Sequence, residues 1–208
     1  MSEITTTDEL RAIYRPPGAP ALRKQHAAID DHDRAFIAHA PFVIVATSDT
    51  AGRCDVSPKG GPPGFVTVLD DGTVVIPDLA GNNRLDSLQN LLDNAGIGLL
   101  FLIPGIDETL RVNGRARLST DPTVLATSAV GGVVPKVAIA VDVEEAYIHC
   151  AKALRRGSVW QAEQWPDTSD MPSVACMLRD QVAPEVEVEV IAQALEDGYE
   201  RTMWQTGG

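Results

Sequence analysis

From Leu110 to Leu118 the chain alternates without a break, with Leu110, Val112, Gly114, Ala116 and Leu118 on one side and Arg111, Asn113, Arg115 and Arg117 on the other. Successive side chains of a strand point to opposite faces, so this segment is a strand with one face toward a core and one carrying cations. Other strand-like runs fall at short, even intervals around it. Phe42 to Thr47 is rich in β-formers, and the turn Asp49-Thr50-Ala51-Gly52 leads into a short strand from Cys54 to Ser57. Phe65–Leu69 and Thr73–Pro77 flank Asp70-Asp71-Gly72 as a hairpin. Ile97–Ile103 precedes a Pro104-Gly105 loop, and Val137, Ile139, Val141 and Val143 alternate with Ala138, Ala140 and Asp142. Most of these connections are too short for parallel crossovers, so six or seven strands within residues 41–148 predict a small antiparallel barrel. The expected class is mainly β with peripheral helices.

Helices punctuate and flank the strands. Asn82 and Asn83 precede a helix whose Leu85, Leu88, Leu91 and Leu92 fall on one face, with Asn as its cap. Asp121-Pro122 starts another, running to about Val130, and Gly131-Gly132 ends it. Before the strands, Thr6 and Glu9 form a capping box for a helix through Tyr14. Arg15-Pro16-Pro17-Gly18 breaks that helix, Pro20 opens a second over 19–28, and Asp30 or Asp31 caps a third ending near His39. After the strands, one helix begins near Pro172 and another runs from Pro184 to Trp204, with Glu185, Glu187 and Glu189 as solvated charge. The expected organisation is a helical segment over 1–40 packed on the barrel, a barrel domain over 41–165, and a helical extension over 166–208.

The net charge of −12 argues against nucleic acid and anionic membranes as partners. No apolar run approaches the roughly 20 residues of a membrane span. The N-terminus shows no basic region followed by an apolar one, so no secretory signal is expected and the chain reads as cytoplasmic. Cys54, Cys150 and Cys176 have no paired spacing and read as reduced thiols. His32 and His39 share a helical spacing without a third ligand, so no metal is expected. G-x-S-x-G and P-loop patterns are absent. Neighbouring His149 and Cys150 do not face each other as a nucleophile pair would.

In so acidic a chain, clustered donors are informative. The run Arg53 to Gly64, RCDVSPKGGPPG, brings a hydroxyl (Ser57), an ammonium (Lys59) and backbone N–H groups to a strand end, beside residues that are all Gly or Pro. That is suitable chemistry for a phosphate. Asn82-Asn83-Arg84 at a helix start is a second anion site, or simply a capped helix with an exposed Arg. Arg111, Arg115 and Arg117 need anions opposite, and salt bridges are expected for two of them. In Tyr147–Trp165, Lys152, Arg155 and Arg156 lie near Trp160 and Trp165. They form either a surface for a flat anionic cofactor or a packed corner.

These segments together resemble the split-barrel FMN-binding proteins related to pyridoxamine 5'-phosphate oxidase, from about Pro41 to Trp165. The marks are the strand ending in DVSPKG, the NNRLDSLQNLLDN segment and the strand in LFLIPGIDETLRVNGRARL. HCAKALRRGSVW looks like a subgroup of that family described as FMN-dependent enzymes. The resemblance implies a six-stranded antiparallel Greek-key split barrel and a homodimer with FMN at the interface. Ser57 and Lys59, with Asp55 and Val56 on the same strand, would lie along the flavin and its side chain. Asn82, Asn83 and Arg84 would lie near its phosphate, and Thr109 and Arg111 would approach the ring. Lys152, Arg155 and Trp160 would come from the second subunit. The implied activity is that of an FMN-dependent oxidoreductase on a small-molecule substrate, with the redox step at flavin N5 and no catalytic side chain nominated. A deazaflavin-dependent reductase on the same fold and a non-catalytic flavin or haem carrier are the alternatives. The oxidase reads its substrate's phosphate with a C-terminal segment containing Arg and His. This chain has acidic helices there and ends Trp204-Gln205-Thr206-Gly207-Gly208, so pyridoxamine phosphate oxidation is not expected.

Overall fold

Alternating burial along the chain resolves into seven strands: β1 (Phe42–Ser48), β2 (Cys54–Gly60), β3 (Thr67–Asp70), β4 (Thr73–Pro77), β5 (Gly96–Leu102), β6 (Thr109–Ser119) and β7 (Ala138–His149). A computed structural model describes residues 3–206 of the chain, so Gly207 and Gly208 at the divergent end lie outside the described residues. All strand pairs are antiparallel and form one sheet in the order β2-β1-β5-β6-β7-β4-β3. The expected six strands are therefore seven, in a ladder whose ends are β2 and β3. The sheet still curls, because Lys59 of β2 reaches Asp78, just past β4, from the other end of the order.

The concave face encloses one core. Val43 and Val45 of β1, Val74 and Ile76 of β4, Leu99 and Phe101 of β5, Leu110 and Val112 of β6, and Ile139 and Val141 of β7 meet there, almost wholly removed from water. Each such side chain contributes about 1.5–3 kcal/mol of burial free energy. β6 is long enough to pair with both β5 and β7, and a bulge opposite Asn113 and Gly114 shifts its register on β7. Gly114 is required at that bulge: a Cβ there would stand 2.1 Å from the Asp142 carbonyl oxygen.

Around the sheet run α1 (Thr7–Ile13), α2 (Ala19–Arg23), α3 (Asp31–His39), α4 (Asp86–Asp93), α5 (Pro122–Thr127), α6 (Lys152–Arg156), α7 (Val174–Val182) and α8 (Val188–Thr202). The Thr6/Glu9 capping box is formed, Asp30 caps α3, and Asp121 caps α5 with Pro122 in the first turn. α3 places Ile37 in the core, and Val124 and Leu125 of α5 cover Val75, Ala138 and Ala140 on the sheet's other face. Several boundaries differ from the expectation for tertiary reasons. α2 stops at Arg23 because the chain extends to exchange two backbone hydrogen bonds between His26 and Ala146 of β7. α4 starts at Asp86, and its N-cap is Leu85 rather than an Asn. Leu92 is 74% exposed, so the buried face of α4 is Ser87, Leu88 and Leu91. α5 ends at Thr127, short of Val130, while β2 continues to Gly60 and β7 to His149. Among the described residues no helix is long and apolar enough to cross a membrane.

Candidate functional site

Where the two ends of the curled sheet approach, a cleft of about 490 Å3 opens. Ser57 and Lys59 reach it from β2, Asp78 and Leu79 from the end of β4, Asn82 and Asn83 from the following loop, Ser87 from α4, and Lys136 from the approach to β7. Lys59 Nζ donates to Asp78 Oδ1 at 2.8 Å, in a pair that is mostly buried. An ammonium has three protons, so two remain for other acceptors.

A serine–aspartate triangle supports the cleft wall. Ser57 Oγ and Ser87 Oγ lie 2.9 and 2.5 Å from Asp55 Oδ2 and 2.9 Å from each other. Ser57 Oγ can place its one proton on Asp55 and then meets the cleft with its lone pairs. The other donor-bearing residues that line the cleft are Lys59, Lys136, Asn82 and Asn83. Asn82 does not cap α4; its Oδ1 accepts from the Arg84 backbone N–H at 3.0 Å and shapes the loop. Asn83 and Leu85 hold left-handed backbone, at φ 56° and 60°. Side chains other than glycine resist that region by roughly 1–2 kcal/mol, and such residues cluster where a loop is held to meet a ligand.

Arg84 turns out of the cleft. Its guanidinium pairs with Asp86, with Nε 2.8 Å from Oδ2, which holds its pKa above the ordinary arginine value. It lines an adjoining polar hollow of about 320 Å3, together with Asp49, Arg53, Asp55 and Asp86. Arg53 there is paired with Asp49.

The remaining expected site residues lie elsewhere. Strand register places Arg111, Leu100, Ile44 and Pro58 in one row across the sheet, and Val112, Leu99, Val45 and Ser57 in the next. Arg111 and Thr109 therefore project from the face opposite Ser57 and Lys59, and so does Val56, which is 63% exposed. Arg111 Nη1 donates to the Tyr147 hydroxyl at 2.9 Å. Of the three β6 arginines, Arg117 alone is seen in a salt bridge among the described residues, with Asp142. Arg155 Nε donates to Asp107 and Trp160 Nε1 to the Ile106 carbonyl, so the α6 corner docks on the loop before β6. That is the packed-corner alternative. Lys152 is exposed on α6. One chain thus gathers Ser57, Lys59, Asn82 and Asn83 around a cleft with Asp55 beneath. It does not bring Val56, Thr109, Arg111, Lys152, Arg155 or Trp160 to that cleft.

Asp78, Ser87 and Lys136 were missed from sequence. Ser87 carried one signal, a hydroxyl among leucines on the inward face of an amphipathic helix. Elsewhere His26, Asp30 and Asp33 bring imidazole and carboxylate atoms within 4.8 Å of one another. Those atoms serve the His26–Asp33 pair and the α3 cap.

A family profile described as pyridoxamine 5'-phosphate oxidase matches residues 29–150, more than half of the chain. No curated protein matches. Among solved structures, HupZ of Group A Streptococcus is 21% identical over 58% of this chain and 93% of its own, with a TM-score of 0.47. An FMN-binding protein from Syntrophomonas wolfei subsp. wolfei is 10% identical over 56% of this chain and 83% of its own, with a TM-score of 0.44.

Proposed function

We propose that this chain, which belongs to the pyridoxamine 5'-phosphate oxidase family, is an FMN-dependent oxidoreductase that works as a cytoplasmic homodimer. The observation that carries the reading is the cleft at the junction of the sheet ends. It offers the ammoniums of Lys59 and Lys136, the amides of Asn82 and Asn83, and a strained loop, all within one concavity. This donor set fits the phosphate and hydroxylated side chain of a flavin mononucleotide. Ammoniums take the phosphate charge, and amides and the Ser57 oxygen answer hydroxyls as donors and acceptors. Asp78 and Asp86 at the same cleft oppose a dianion, so Lys59 must share its protons between Asp78 and the ligand.

The flavin, when bound, supplies the redox chemistry, and the chain binds and orients it. Within one chain, Thr109, Arg111, Lys152, Arg155 and Trp160 lie away from the cleft. A site built across the dimer would bring the outer-face group of one protomer to the cleft of the other. Partly exposed Phe42, Ile44, Val56 and Leu100 give that outer face an apolar surface for the second copy.

A second reading is favoured by the hollow lined by Arg53 and Arg84, which shares Asp86 with the cleft. It would continue the polar surface beyond the cleft for the longer tail of a deazaflavin, with Arg53 and Arg84 turning from Asp49 and Asp86 to meet it. The absorption spectrum of freshly purified protein, repeated on its heat-released supernatant, separates these readings. Flavin bands with released FMN are expected. A deazaflavin or haem spectrum would replace FMN, and a colourless protein that stays colourless with added FMN would sink the proposal.

A further inference from the structure

On the outer face of β6 and β7 stands a cationic cluster that lies outside the cleft of its own chain. Thr109 pairs across the ladder with His149, and Arg111 with Tyr147. The Tyr147 ring lies beside two cations, with Lys24 Nζ 5.3 Å and Arg111 Cζ 5.5 Å from its centroid. Arg111 is anchored on the Tyr147 hydroxyl, and Lys24 on the Ile148 carbonyl. The His149 ring sits 5.3 Å from that of Tyr147. Its Nε2 is buried and has no hydrogen-bond partner among the described residues.

This arrangement lacks a negative partner. Neither Lys24 nor Arg111 forms a salt bridge among the described residues. Glu145, the acid one row along the same face, spends its two oxygens on the amides of Gln25 and Asn113. Two cations gathered around one ring repel each other, and a buried ring nitrogen left unmatched loses a hydrogen bond it would make in water. A single anion would answer both. Burial, and then the charges of Arg111 and Lys24, push the His149 pKa down.

We propose that Lys24, Arg111, Tyr147 and His149 form a binding site for a small oxyanion, the carboxylate or phosphate group of a metabolite. The guanidinium and ammonium neutralise the anion, and His149 Nε2 supplies a directional hydrogen bond. Lys24 arrives on the segment after α2 that pairs with β7 through His26, so the N-terminal segment completes the site. Within one chain the cluster lies on the opposite sheet face from Ser57 and Lys59, so anion binding here is read separately from flavin binding in that cleft.

The test is NMR of the histidine side chains in the full chain, with inorganic phosphate and acetate as probes. The His149 signal is assigned by its loss in His149→Asn. The expected result is a saturable shift of that signal and a rise in its pKa as anion binds, both retained in Lys59→Met, which removes only a cleft cation. Arg111→Met and Lys24→Met each weaken the response by roughly tenfold or more, as loss of a charge-assisted hydrogen bond should. Lys24 is exposed, so its variant decides the matter if Arg111→Met does not fold. A response to phosphate alone assigns phosphate esters, and a response to both probes admits carboxylates. A His149 signal that neither anion moves, or that moves in both cation variants as it does in the wild type, overturns the proposal.

Discussion

Lys59 Nζ lies 2.8 Å from Asp78 Oδ1, although β1, β5, β6 and β7 stand between their strands in the hydrogen-bonded order. A sheet can make that contact only by curling until its ends approach. The pair therefore bridges the seam of the fold and borders the cleft at once. Lys59→Met leaves the Asp78 carboxylate, 15% exposed, without its cation. The expected cost is about 2 kcal/mol in urea unfolding, the size of one partly buried charge-assisted hydrogen bond. Asp78→Asn keeps an acceptor for Lys59 and costs less. The two variants should diverge in fluorescence titration with FMN: Lys59→Met binds more weakly, whereas Asp78→Asn binds as well or better because a carboxylate has left the anion's site. Equal FMN affinity in wild type and Lys59→Met would count against the cleft.

A second pair sets a pH dependence. The imidazole of His26 bonds to the Lys24 carbonyl through Nδ1 and to buried Asp33 through Nε2. Both contacts are satisfied as donors only when the ring is protonated. The Asp33 hydrogen bond, followed by the Lys24 carbonyl and the charges of Asp33 and Asp30, raises the His26 pKa against the opposing effect of burial. A folded-state pKa above the unfolded one means this stabilisation is complete below about 6.5, the ordinary histidine value. It is lost as pH rises through the higher folded-state value. Urea midpoints across neutral pH should fall in wild type over that window, and the difference from His26→Gln should shrink with them. A constant difference between the two proteins across the window would refute the assignment.

What could be read beforehand was largely what neighbours in the chain decide. Thr6 with Glu9 and Asp121 with Pro122 complete their caps within three residues, so sequence alone reveals them. The alternation of β6 is equally local. Leu92 sits one helical turn after Leu88 yet is exposed, because periodicity does not say where the facing surface ends. Within the cleft, Ser57, Lys59, Asn82 and Asn83 stood out as polar groups beside Gly and Pro. Asp78 and Ser87 did not, since an Asp after a strand and a Ser in a helix have ordinary local explanations. Arg84 misled in the opposite way: it looked available for phosphate until Asp86, two residues on, engaged it.

Gly114 shows a long-range demand carried by a single missing atom. Where β6 and β7 slip register, a Cβ at this position would overlap the carbonyl of Asp142, a backbone group held in the ladder. Gly114→Ala must therefore open the bulge or push β7 away. A loss of about 1–3 kcal/mol is expected, the range for overpacking a filled interior. Gly105→Ala is the control, because its positive φ strains the backbone while no atom lies within 4 Å of the added Cβ. Thermal melts should show Gly114→Ala as the more damaging change, and the reverse order would mean that the bulge yields easily.

The outer face supplies the last test, of assembly. Val56 projects from β2 in the row beside Ile44 and is 63% exposed, while partly exposed Phe42 and Leu100 continue the surface. If two copies meet here about a two-fold axis, Val56→Glu puts a carboxylate from each copy into the same interface. Desolvating those charges without partners costs several kcal/mol, enough to part a dimer at micromolar concentration. The isolated fold should tolerate the change, because the side chain already faces solvent in a single chain. Sedimentation velocity is expected to show a dimer for wild type and a monomer for Val56→Glu, with the melt of β-structure kept. Flavin content should fall with the dimer if the outer-face residues of one protomer complete the other's cleft. A variant that sediments as wild type would place the interface elsewhere, and a monomer that keeps its full flavin content would confine the site to one chain.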